Sequence, residues 1–91
     1  MIGKTKAALG YKKTMEINVL FFGVLADYAG VRRKHYTGIE SYSDLKHRIF
    51  DDYPGIEHYT YKIAVNKTII NNDPVLRDGD ELAFMPPFAG G

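Results

Sequence analysis

The residues best suited to chemistry stand at the end of the sequence, Phe84-Met85-Pro86-Pro87-Phe88-Ala89-Gly90-Gly91. Glycine has no Cβ, so a segment ending in two of them can thread a channel too narrow for any side chain. Its tip presents the α-carboxylate of Gly91. That group ordinarily has a pKa of about 3.3–3.7, so at neutral pH it is an anion and a poor electrophile. Reaction at its carbonyl carbon requires prior activation, and the sequence has no glycine-rich phosphate loop to hold a nucleotide. The expectation is a substrate and carrier acted on by partners, not an enzyme in its own right.

A reactive tip needs a rigid platform behind it. Glu81-Leu82-Ala83-Phe84-Met85 reads as a strand that Pro86-Pro87 stops, since proline removes a ladder donor and fixes φ. The two prolines are expected to leave the sheet as a stiff, extended spacer, making residues 86–91 a flexible tail on a domain spanning 15–85. For a stable platform this strand must be central, and parallel pairing with the first strand is the natural arrangement. That first strand is Glu16–Phe22, with Ile17, Val19 and Phe21 facing the core and Leu20 and Phe22 on the opposite face. Gly23 ends it, a short helical turn spans Val24–Ala29, and Gly30 stops that turn. Val31–Thr37 reads as a polar second strand in a hairpin with the first.

The best helix follows. Ser41 caps it, Asp44 three residues on resembles a capping box with a shorter acid, and Tyr42, Leu45, Ile49 and Tyr53 form the buried stripe with Phe50 beside it. Lys46, His47, Arg48, Asp51 and Asp52 are expected to face solvent, and Pro54-Gly55 closes the helix. Tyr61–Val65, a tight turn at Asn66-Lys67 and Thr68–Ile70 give two more strands, and Asp78-Gly79 turns the chain into the last one. The order β-β-α-β-β-β with one main helix defines an α+β roll.

Composition narrows the function classes. Ninety-one residues make one small domain, with ordinary hydrophobic (45%) and charged (25%) fractions. The absence of cysteine removes disulfides, thiolate metal sites and a catalytic thiol, so any sulfur chemistry needs another carrier atom. No apolar run approaches the roughly 20 residues of a membrane span, and a cytoplasmic location is expected. Residues 1–14 hold four lysines and no acid, leaving residues 15–91 at net −3, which argues against nucleic-acid binding. That leading segment lacks the strand pattern and is expected to be a disordered extension, Met15 being an alternative start.

Other polar residues read as structural. His35, His47 and His58 lack metal-ligand spacing, and Asp73, Asp78 and Asp80 lack a calcium-loop pattern, so no metal is assigned. Arg32-Arg33-Lys34 reads as a solvated strand face, with phosphate contact as the sharper alternative. Ser41 and Ser43 sit at a helix start, not in a nucleophile motif.

Val19-Leu20-Phe21-Phe22-Gly23, Ala64-Val65-Asn66-Lys67 and the run from Leu76 to Gly91 together resemble the MoaD/ThiS family of sulfur carriers. Phe-x-Pro-Pro before Gly-Gly is most similar to its molybdopterin-synthase branch. The resemblance covers residues 15–91 and implies a β-grasp, ubiquitin-like fold. It further implies that an E1-like adenylyltransferase, using ATP, converts the Gly91 carboxylate to an acyl-adenylate. A sulfur donor then leaves a thiocarboxylate, and the large, MoaE-type synthase subunit receives the tail and passes sulfur to cyclic pyranopterin monophosphate. No cofactor is bound by the chain itself. By the same resemblance Phe22, Ile69 and Met85 fall in the apolar surface that docks these partners; core packing is the alternative. Two positions depart from the family pattern: Ala26 where many members carry arginine, and Phe88 where valine or threonine is common. Thiamine, cysteine or tRNA thiolation, protein conjugation, and an interaction module without tail chemistry remain competing functions.

Overall fold

In the computed structural model residues 13–88 are described. Strand β1 (Met15–Phe21) leads into helix α1 (Val24–Ala29), strand β2 (Arg33–Ile39) and helix α2 (Tyr42–Asp52). A 3-10 turn (Ile56–His58) precedes β3 (Lys62–Val65), β4 (Thr68–Ile70) and β5 (Glu81–Met85). The strands form one sheet in the order β2-β1-β5-β3-β4, so β5 is central. It runs parallel to β1, the pairing expected for a rigid platform, and antiparallel to β3.

Alternation along the strands builds the core. Ile17, Val19 and Phe21 of β1 and Leu82 and Phe84 of β5 point inward, where they meet Leu45 and Ile49 of α2. Phe21 packs edge-on against Tyr53 (5.3 Å between centroids) and lies 5.7 Å from Phe84, the aromatic centre of the inner layer. Tyr42, Phe50 and Tyr53 flank the buried stripe of α2. Its start is capped by Ser41, whose Oγ accepts the Asp44 N–H (3.0 Å). Asp44 Oδ2 in turn accepts the Glu40 N–H (2.9 Å), so the reciprocal bond reaches the residue before the cap. The outward face of α2 is less solvated than expected. Arg48 donates to the Thr37 carbonyl (3.0 Å), and Asp52 accepts the Tyr36 hydroxyl (2.6 Å).

Strand β2 is shifted from the Val31–Thr37 expected. It begins at Arg33 and continues to Ile39 through a bulge: Met15 pairs with Ile39 and Ile17 with Tyr36, leaving one extra residue on β2. Gly38 supplies the positive φ of 69° that the bulge needs. The bulge lets Tyr36 and Ile39, three residues apart, both turn inward. The turn at Gly30 has the left-handed geometry anticipated, its N–H donating to the Ala26 carbonyl (2.9 Å).

Candidate functional site

The candidate site is the end of the sheet from which the chain leaves β5. Phe22 N–H donates to the Phe84 carbonyl (3.0 Å), carrying the parallel ladder one residue past β1. Pro86 is then buried, not part of a free spacer. Its ring lies against Gly23: a Cβ placed there would meet Pro86 Cγ at 2.8 Å. Gly23 also has φ 59°, so backbone conformation and close approach both require glycine. Pro87 and Phe88 form a turn, and Phe88 is 83% exposed. The extended Pro86-Pro87 spacer is thereby corrected: apolar contact with Gly23 holds the first proline to the body, and the chain bends at the second. Ala89, Gly90 and Gly91 lie outside the described residues, as do residues 1–12.

The other end of β5 is fixed by polar groups. Asp78 Oδ1 accepts the Glu16 N–H (2.8 Å), and the Gly79 N–H donates to the Glu16 carbonyl (2.8 Å). Asp80 accepts the Arg77 N–H (2.8 Å) and the Asn66 side-chain amide (2.9 Å), while Asn66 Oδ1 accepts the Glu81 N–H (3.0 Å). These carboxylates therefore serve the turn. Among the described residues there is no group of three or more His, Asp or Glu able to hold a metal ion, and no helix is long and apolar enough to cross a membrane.

The face of the sheet opposite α2 carries the apolar residues singled out in the sequence. Register aligns Arg33, Leu20, Ala83, Ala64 and Ile69 in one row across all five strands. In the next row Met85 pairs with Lys62, with Phe22 beside it, one residue past β1. Phe22 is 46% exposed, and Met85 and Ile69 are half-buried without joining the core cluster. The three thus share one face, Phe22 adjoining Met85, with Ile69 two strands away. Ala64 (3% exposed) and Ala83 (8%) form a low floor between them. Sequence reasoning missed the near-burial of Ala83, which follows from neighbours on both sides of a central strand. It also missed Ala64, Arg33 and Lys62 as members of this surface. The alternation of β3 about the core residue Ile63 was the available signal. Val24, the first residue of α1, is also exposed (48%).

The ThiS family model matches residues 19–91. The chain belongs to the ThiS family. Over 82 residues this ThiS-family chain is 30% identical to the molybdopterin synthase sulfur carrier subunit of Mycobacterium tuberculosis, covering 85% of its own length and 99% of the relative. Its fold is similar to small archaeal modifier protein 1 from Methanosarcina acetivorans (TM-score 0.71, 23% identity, 87% and 99% of the two chains). It is also similar to a chain in the complex of subunits 1 and 2 of molybdopterin-converting factor from Helicobacter pylori (TM-score 0.64, 26% identity, 85% and 100%). The β-grasp architecture expected from the resemblance is the architecture found. For this ThiS-family member, the family match runs from Val19 of β1 to the diglycine and includes Gly23, Pro86, Phe22, Ile69 and Met85.

Proposed function

We propose that the protein is the small, sulfur-carrying subunit of molybdopterin synthase, with the Gly91 carboxylate as its working group. The supporting observation is the placement of β5: the central strand runs directly into a buried proline and then an exposed Phe88, beside an apolar face. A tail rooted there is held by the most constrained strand of the sheet and shares a side with the surface where a partner would dock. Kinship with sulfur carrier subunits supplies the reaction class.

In this proposal a carboxylate oxygen of Gly91 attacks the α-phosphorus of ATP in an E1-like adenylyltransferase. Pyrophosphate leaves and an acyl-adenylate forms. Sulfur delivered by a donor at the hydrosulfide level displaces AMP, breaking the C–O bond and making C–S. The thiocarboxylate then enters the large subunit, where its sulfur bonds to a carbon of cyclic pyranopterin monophosphate in place of an oxygen and water cleaves the Gly91 C–S bond, restoring the carboxylate. The chain contributes reach and orientation; nucleotide, sulfur donor and acceptor are held by partners. Phe22, Ile69 and Met85 form the docking face, and residues Pro87 to Gly91 enter the partner's channel.

Intact-mass analysis tests this after incubation with the host's E1-like enzyme, ATP and a sulfur source. The expected product carries one sulfur in place of one oxygen, mapped by fragmentation to Gly91. An unchanged mass, with the same enzyme active on another carrier, would refute the carrier assignment.

A further inference from the structure

An open groove of about 660 Å³ lies beside the root of the tail. Leu20, Phe22 and Ala26 give it apolar walls, and Arg32, Arg33 and Asp27 give it charge. Both arginines are exposed, and among the described residues neither guanidinium has a hydrogen bond or ion pair. Neighbouring polar side chains are engaged: Lys34 and Arg48 each lie 5.8 Å from the Tyr36 ring, and His35 lies between Glu16 and Asn18 (3.0 and 2.9 Å). The groove is thus a small positive site on a body that is net negative over residues 15–91.

Its two kinds of wall restrict the occupant. A free anion would satisfy the arginines and leave the apolar wall exposed to water. A nucleic acid needs a longer cationic track than two arginines on an acidic domain. A peptide segment pairing a carboxylate with an apolar side chain answers both, because guanidinium binds carboxylate through paired N–H groups while Phe22 is covered. Gly23 also lines the groove and is the residue on which Pro86 packs, so any occupant lies against the point where the tail departs.

We infer that the Arg32–Arg33 groove docks an acidic–apolar segment of the protein that receives the tail. This rests on the proposed function and adds a second contact, charge-dependent and separate from Ile69 and Met85. Its role is to fix the carrier's orientation around the tail axis.

The test is calorimetric titration of the full chain with the second subunit of its own molybdopterin-converting factor, at low and high salt. The Arg32→Gln/Arg33→Gln pair is expected to weaken binding about tenfold and to flatten the salt dependence. Arg32→Lys/Arg33→Lys, which keeps the charge but not the paired N–H groups, should fall between the glutamine pair and the wild type and keep the salt dependence. Arg77→Gln, at the opposite end of β5, should match the wild type, and all variants should melt alike. Binding by the glutamine pair within about twofold of wild type, or equal weakening by Arg77→Gln, would overturn the inference while leaving the carrier function standing. Failure of the folded wild-type chain to bind that subunit would overturn both, which separates the two failures.

Discussion

At its Glu81 end, β5 is stitched to its surroundings by polar groups. At its Met85 end it is held by its sheet ladders and by carbon against carbon. Asp78, Asp80 and Asn66 together engage the backbone of β1, the Arg77–Asp80 turn and the β3–β4 hairpin. Phe22, Pro86 and Gly23 do the work at the other end, with an exposed Phe88 beyond. The contrast has a physical basis. Directional hydrogen bonds fix register where the strand begins, whereas apolar packing can be continued by a docking protein and leaves no polar group to be desolvated. One end belongs to folding and the other, in the proposed function, to docking.

Removal of Gly90-Gly91 breaks the comparison most sharply. Thiocarboxylation should vanish entirely, while the urea midpoint stays that of the full chain. Asp80→Ala should do the converse. It leaves the Arg77 N–H and the Asn66 amide without their acceptor and should cost about 2 kcal/mol in urea unfolding. The fraction still folded should remain fully competent as a sulfur acceptor.

Gly23→Ala lies between these extremes. It forces a Cβ against Pro86 and a side-chain residue into positive φ, at about 1–2 kcal/mol. Adding Pro86→Ala should recover the part due to the ring but not the part due to backbone conformation. A double-mutant cycle on both stability and thiocarboxylation rate measures the split, and no coupling between the sites would contradict the packing described.

Alkaline pH tests a third region as a control. Burial pushes Tyr42 up to about 12, and burial with the adjacent Asp52 carboxylate raises Tyr36 further. The folded state therefore holds these protons more tightly than the unfolded chain. That contribution is complete below about pH 10 and is lost as pH rises through 12. Unfolding followed across this window should release both ends of β5 together. The smallest effect is expected from Lys67→Gly. Asn66 and Lys67 both have positive φ (49° and 73°), and glycine at the second position should stabilise the β3–β4 turn by about 0.5–1 kcal/mol.

What could be read in the sequence follows this division. The inward residues of β1 and β5, the stripe of α2, its Ser41 cap and the Asp78-Gly79 turn were legible because each is a local pattern with a fixed period or a specific turn chemistry. The central position of β5 was legible from a functional requirement. The bulge at Gly38 was not, because two extra residues of β2 become strand only when β1 offers partners. Nor was the burial of Pro86, since proline after a strand reads locally as an exit, and only the distant Gly23 provides the surface that retains it. The Arg32–Arg33 groove was hidden for a related reason: three consecutive basic residues look alike in sequence, and pairing with β1 sends Arg33 and Lys34 to opposite faces.

The strand that occupies the middle of the sheet is also the last element to be synthesised among those described. Until residues 81–85 are available, β1–β2 and β3–β4 are separate hairpins with no ladder between them. Such a long-range closure is slow relative to local helix and hairpin formation. Translation and folding are therefore coupled at the same place: a carrier cut short before β5 cannot complete its sheet, and the step that completes the sheet also sets the tail's point of departure. In the proposed function, competence for activation becomes a built-in report that the domain has finished folding.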